Sequence, residues 1–102
     1  MTYGFVVDVP GPVALYDELH AEVVRRSPRG ADGLIVHLGR ATDTGFQVIE
    51  VWETQEQCDR FNAEVVEPAM AELFEAPPPS PPPPRVEFEP RGLIVPAADV
   101  LV

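Results

Sequence analysis

The chain of 102 residues contains no lysine; all seven of its basic side chains are arginine. Schiff-base chemistry through a side-chain amine is therefore excluded. Cysteine is almost as scarce. Cys58 stands alone, which rules out intrachain disulfides and cysteine-rich zinc sites, and no metal site is expected. It falls on an amphipathic helical stretch, where a small buried side chain is the simpler reading than a nucleophile. No apolar run approaches the roughly 18–20 residues that a membrane span needs. With a formal net charge of −10, the chain repels phosphate backbones and anionic lipid, so nucleic-acid and membrane-surface roles fall away. The first residues lead straight into a strand-like pattern, with no basic segment followed by an apolar run, and the expected location is the cytoplasm.

The length fits one domain over residues 1–102, with a sizeable core but no room for a second. Tyr3 to Val9 is rich in β-branched and aromatic residues and suits a first strand, with Asp8 as a turn residue near its end. Pro10-Gly11-Pro12 closes it, and Pro12 can open a helix because its missing N–H would be unpaired there anyway. Leu15, Tyr16, Leu19 and Val23 then recur at helical spacing up to Arg26, and Ser27-Pro28-Arg29-Gly30 stops that helix. Gly33 to Arg40 reads as a second strand, Thr42 to Gly45 as a hairpin connection, and Phe46 to Glu53 as a third strand. Thr54, with Gln57 three residues on, makes a capping-box start for a second helix carrying Cys58, Phe61, Val65 and Ala69. Pro68 inside that helix predicts a kink or break, with a separate short turn after it.

Seven prolines fill the eight positions from Pro77 to Pro84. They predict a proline-rich loop over 76–85, a stiff polyproline II spacer of about 25 Å. Its PxxP spacing is a poor match to an SH3 ligand, because the basic residue Arg85 directly follows the last proline, and a structural spacer is the expected role. Arg85 to Val95 resumes strand character, with Pro90 and Gly92 indicating an edge or a bulge. A short apolar tail follows at 96–102.

The order β-α-β-β-α-β is the ferredoxin-like pattern: an α+β fold with a four-stranded antiparallel sheet and both helices on one face. The second and third strands are apolar on both faces, whereas a sheet wetted on one side would alternate cleanly. Burying about 800 Å² of exposed sheet is worth roughly 20 kcal/mol before the costs of association. A second copy of the chain, packed sheet to sheet, is the expected cover.

With this pattern, the run Val48-Ile49-Glu50-Val51-Trp52-Glu53-Thr54, then Phe61, then Glu67-Pro68-Ala69, resembles the antibiotic-biosynthesis-monooxygenase-like proteins of the dimeric α/β-barrel superfamily. The resemblance covers roughly residues 2–95. It implies a homodimeric barrel with a pocket between sheet and helices in each subunit. It further implies a cofactor-independent monooxygenase-like enzyme acting on an aromatic or polyketide-derived small molecule, the ionised substrate itself reducing O₂. The alternatives within the resemblance are a polyketide cyclase or isomerase using proton transfer only, and a non-catalytic small-molecule-binding dimer. Haem-degrading relatives place an asparagine on the first strand and a histidine in the later helix. Here Val6, Val7 and Asp8 occupy the strand and the second helix has no histidine, which speaks against haem cleavage. Olivetolic-type cyclases use a His/Tyr pair, which directs attention to Tyr16 and His20.

Four residues are candidate catalytic groups. Tyr16 and His20 are neighbours on one helix face and suit holding a substrate oxygen and moving its proton; otherwise Tyr16 packs and His20 meets solvent. His37 interrupts an apolar strand, sharing a side with Ile35. It lines the pocket if it faces the helices and the interface if it faces a second sheet. Glu50 shares a strand face with Trp52 and is a candidate acid or base, the competing reading being an ion pair with Arg40 across the hairpin. Trp52, Phe61, Asn62 and Phe5 are the expected substrate-binding walls, with core packing as the plain alternative for Trp52 and solvent exposure for Asn62.

Overall fold

The computed structural model describes residues 2–28, 30–74, 84–95 and 100–101. Its elements are β1 (Tyr3–Val9), α1 (Val13–Arg26), β2 (Leu34–Ala41), β3 (Phe46–Trp52), a helical run from Gln55 to Phe74, and β4 (Arg85–Phe88), followed by the short strands β5 (Ile94–Val95) and β6 (Val100–Leu101). Strands β2, β3, β1 and β4 lie in that order, each antiparallel to its neighbours. This is the expected ferredoxin-like sheet. The proline-rich loop expected at 76–85 and the tail at 96–102 fall largely outside the described residues.

Pro12 occupies the N-cap of α1 in extended conformation, and its carbonyl accepts the Leu15 N–H at 3.0 Å. The helix stops at Ser27, whose hydroxyl donates to the Val23 carbonyl at 2.6 Å. Thr42 and Gly45 close the β2–β3 hairpin by exchanging backbone hydrogen bonds. Thr54 caps the second helical run by accepting the Gln57 N–H at 3.2 Å.

Several expectations are corrected. The helix does not break at Pro68. Gln55–Phe61 (α2) passes through a π-helical turn, Asn62–Val66, into Glu67–Phe74 (α3) without interruption, and the Glu67 N–H reaches back to the Asn62 carbonyl. The wider turn makes room for a ring that would clash in a tight helix and lacks an N–H to donate. Strict alternation fails at Ile35, because Leu34 pairs with Trp52 and Val36 with Val51, leaving Ile35 as an extra residue in the ladder. Leu34, not Ile35, therefore joins His37 on the helix side. Asp8 lies within β1, opposite Gln47, rather than in a turn. The stretch 85–95 is two strands: β4 ends at Phe88, and β5 pairs with β6 in a separate ribbon.

The buried core is small and sits at one end of the sheet, where Trp52 and Cys58 are fully enclosed with Tyr3 and Phe5 against them. The apolar stripe of α1 does not close onto the sheet; Leu15, Tyr16, Leu19 and Val23 are only half-buried. The one buried residue of α1 is Glu22, ion-paired with Arg25 and Arg26, and Arg26 reaches across to Glu72 on α3. Helix α1 is thus pinned to α3 by charges at its C-terminal end, while its apolar face stands off from the sheet.

On the opposite sheet face β4 presents Val86 and Phe88, and β2 presents Leu38, with relative exposures of 66%, 39% and 51%. The Phe88 ring lies over Gly4, where a Cβ would come within 2.5 Å of it. Beside this apolar area, Arg40 donates to the Gln47 side chain and Gln47 to Asp8, at 2.8 and 3.0 Å.

Candidate active site

The gap between α1 and the sheet is a cavity of about 670 Å³. Its floor is the helix-facing parity of the strands, including Phe5, Val7, Val48 and His37; Leu19 and Val23 of α1 and Val66 and Met70 of the second helical run form its walls. Most of this lining is apolar. The polar groups gather in two places.

The first is a hydrogen-bonded chain across β3, β2 and α1. Antiparallel register sets His37 directly opposite Glu50, and the period of two puts both on the face of Trp52. The Trp52 indole N–H donates to Glu50 Oε1 at 2.8 Å. Glu50 Oε2 lies 2.7 Å from His37 Nδ1. His37 Nε2 lies 2.8 Å from the Tyr16 hydroxyl. Each oxygen of the carboxylate is therefore engaged, and the carboxylate selects the imidazole tautomer with its proton on Nδ1. Nε2 is then an acceptor, and the Tyr16 O–H donates to it. His20 stacks beside this chain, its ring 5.2 Å from His37 and 5.5 Å from Tyr16, within 18° of parallel to both. The Tyr16 phenol is pushed above its ordinary range by burial first, and then by the negative charges of Asp17 and Glu50.

Close packing places Tyr16 here. Its ring rests on Gly39, where a Cβ would come within 2.2 Å of Tyr16 Cζ, and Phe46 leans against it with centroids 5.6 Å apart. Only glycine on the helix side of β2 lets the phenol approach His37.

The second polar group is Arg85 with Asn62. Arg85 extends from the edge strand β4, its guanidinium carbon 4.2 Å from the centroid of the Phe5 ring. Asn62 starts the π-helical turn, and its amide points to Cys58 Sγ at 3.7 Å. The Cys58 thiol is fully enclosed, and burial pushes it up to about 11, with Arg85 opposing that rise. Such a thiol stays protonated at neutral pH and is a packing group.

The sequence-derived candidates Glu50, His37, Tyr16 and His20 thus come together on one wall. Phe5, Phe61 and Asn62 line the cavity. Trp52 does not; it lies beneath the surface, 5.6 Å from the Phe61 ring, and reaches the site through its bond to Glu50. Glu50 makes no ion pair with Arg40, which is turned to the other sheet face and bonded to Gln47. Arg85 and Gly39 were not among the sequence candidates. Arg85 carries a signal in retrospect, because Arg85 and Glu87 share one parity of β4 while Val86 and Phe88 share the other. Gly39 carries none, since its role depends on a ring from another element.

No family model matches the chain, and no curated protein matches it. Solved structures do. A candidate antibiotic biosynthesis monooxygenase from Caulobacter crescentus matches with a TM-score of 0.62 at 13% identity, over 85% of this chain and 87% of that one. SnoaB, a cofactor-independent oxygenase from Streptomyces nogalater, matches with a TM-score of 0.56 at 20% identity, over 93% and 95% of the two chains. A monooxygenase from the ActVA-Orf6 gene of Streptomyces coelicolor, in complex with the ligand nanaomycin D, matches with a TM-score of 0.50 at 29% identity, over 93% and 90%. A heme-degrading protein of Mycobacterium tuberculosis shares the fold as well. The fold is that of the antibiotic-biosynthesis-monooxygenase-like proteins, as the strand-to-helix junction at Glu50–Thr54 leads one to expect.

Proposed function

We propose that this protein is a cofactor-independent monooxygenase-like enzyme that ionises an aromatic or polyketide-derived substrate and lets the resulting anion react with O₂. The observation that carries the proposal is the chain Trp52–Glu50–His37–Tyr16, which ends at an apolar cavity large enough for several fused rings. Glu50 orients and stabilises His37, His37 Nε2 is the proton acceptor, and the Tyr16 hydroxyl is the group that meets the substrate oxygen. As a substrate hydroxyl gives its proton to Tyr16, the Tyr16 proton passes to Nε2, and the phenolate or enolate charge is held beside His20. A substrate CH₂ activated in this way takes up one O₂, and loss of one water leaves a carbonyl, so the substrate itself supplies the electrons. The apolar floor of Phe5, Val7 and Val48 beside this chain lowers the local dielectric, which strengthens each electrostatic contact.

Two further features belong to the proposal. The exposed Leu38, Val86 and Phe88 support a homodimer packed through the outer sheet face. Strand β4 is the telling element, since it turns its charged residues toward the helices and its apolar ones outward. The cytoplasm is the compartment such chemistry would suit. The Glu50–His37–Tyr16 chain would also serve a cyclase or isomerase, which needs proton transfer and no oxygen.

Oxygen consumption with 1,8-dihydroxyanthrone tests the reading. Protein-dependent uptake is expected, lost in Glu50→Gln and in His37→Phe with dimerisation intact. Product formed under strict anaerobiosis would shift the assignment to the cyclase or isomerase. Unchanged turnover in both variants would remove these residues from the chemistry. A protein that binds the anthrone without converting it would be the non-catalytic binding dimer.

A further inference from the structure

The proposed function uses the polar wall formed by β2, β3 and α1, and leaves Arg85 unexplained. Four other arginines of this acid-rich chain are engaged, Arg25 and Arg26 with Glu22, Arg60 with Glu56, and Arg40 with Gln47, while the exposed Arg91 does not line the cavity. Arg85 lines the cavity, and among the described residues no carboxylate lies within ion-pair distance of it. Glu87, on the same face of β4, is the obvious partner, yet it accepts the Tyr3 hydroxyl at 2.7 Å and leaves Arg85 alone. Among the described residues the guanidinium has only weak neutral partners: the Tyr3 hydroxyl beside it and a long approach of Nη1 to Cys58 Sγ at 3.9 Å, a weak acceptor. The face of Phe5 supports the group at 4.2 Å, which holds the planar fork in place while leaving its edge N–H donors available.

We infer that Arg85 is an anion anchor, and that the substrate is an aromatic acid whose carboxylate it takes while a hydroxyl meets Tyr16 and His37. This inference rests on the proposed function for the hydroxyl end and adds the identity of the other end. Arg85 and His37 stand on the two opposite edge strands of the sheet, β4 and β2, with Phe5 and Glu50 of the central strands between them. The two polar ends of the ligand are therefore separated by its ring system, which lies over Phe5, Val7 and Val48. Arg85 is exposed at the edge of the cavity, and a guanidinium there suits a carboxylate because two charge-assisted, parallel N–H···O bonds match its geometry.

Two probes differing by one group test this: 4,5-dihydroxyanthraquinone-2-carboxylate and 1,8-dihydroxyanthraquinone, the same ring system without the acid. Titration calorimetry at pH 8 should show the carboxylate binding the wild-type protein about 10- to 100-fold more tightly, the factor a charge-assisted pair provides. Arg85→Gln should reduce that ratio to near one, and Arg85→Lys should retain part of it. Equal binding of both probes to the wild type would overturn the anion anchor while leaving the cavity and its hydroxyl wall standing. A preference that survives Arg85→Gln would also overturn it. Binding of neither probe would defeat the cavity reading and this inference together. If Arg85→Gln does not fold, the wild-type ratio and Arg85→Lys decide the matter.

Discussion

Replacing Gly39 by alanine is the sharpest perturbation this site offers, because it touches no polar group. The added methyl would stand 2.2 Å from Tyr16 Cζ and 2.4 Å from its hydroxyl oxygen. Ordinary carbon contacts begin near 3.5 Å, so the ring must retreat by about 1.3 Å, away from the sheet that carries His37. The Tyr16–His37 bond, now 2.8 Å, would then stretch to about 4 Å, beyond hydrogen-bonding range. Losing one neutral hydrogen bond costs about 1 kcal/mol. Removing a glycine from a strand returns roughly 0.5–1 kcal/mol. Net stability should therefore hardly change, and the melting temperature should stay within a few degrees of wild type. Turnover should fall by about 100-fold, as a displacement of 1 Å at a reacting group does. Steady-state oxygen uptake with 1,8-dihydroxyanthrone reads the second effect and thermal unfolding the first. The double variant Gly39→Ala/Tyr16→Phe should be no slower than Tyr16→Phe alone, since both changes remove the same contact. Full activity in Gly39→Ala, or losses that multiply in the double variant, would refute the placement of Tyr16 against His37.

Trp52→Phe should destabilise the fold by about 1–3 kcal/mol, because Glu50 Oε1 loses its donor in a buried setting. Urea unfolding checks it, and a variant as stable as wild type would show that the indole N–H is dispensable. Alkaline pH should destabilise the protein through Cys58. Its folded pKa of about 11 lies above the ordinary value, so the folded state holds the proton more tightly than the unfolded one. Stability should be intact below about pH 8.5 and fall by up to about 2 kcal/mol as pH rises toward 11. Denaturation curves of wild type and Cys58→Ala isolate this slope from that of the tyrosines, and parallel curves would contradict it. Leu38→Glu with Val86→Glu should convert a sheet-to-sheet dimer into monomers, read by sedimentation. A wild-type protein already monomeric at micromolar concentration would remove the reason given for the greasy outer face.

Much of the architecture was legible along the chain. Alternation and punctuation placed three strands and two helices, because strand and helix periods are local properties of which side chains must leave water. The pairing of Tyr16 with His20 followed from helical spacing, and the shared face of Glu50 and Trp52 from the period of two. The tertiary structure decided the rest. It brought β2 beside β3 in the register that sets His37 on Glu50, and a bulge at Ile35 meant that counting residues from the strand's start gave His37 the wrong companion. It turned Trp52 from an expected substrate wall into a buried donor, since the N–H of an indole inside a strand finds the carboxylate two residues away. It accommodated Pro68 behind a π-helical turn, Asn62–Val66, where local rules predicted a kink or break, because the wider turn leaves room for the ring. Arg85 and Gly39 gained their meaning only when β4, β1 and α1 met around one cavity. Periodicity is written in consecutive residues, whereas contact between residues tens of positions apart depends on how the elements pack.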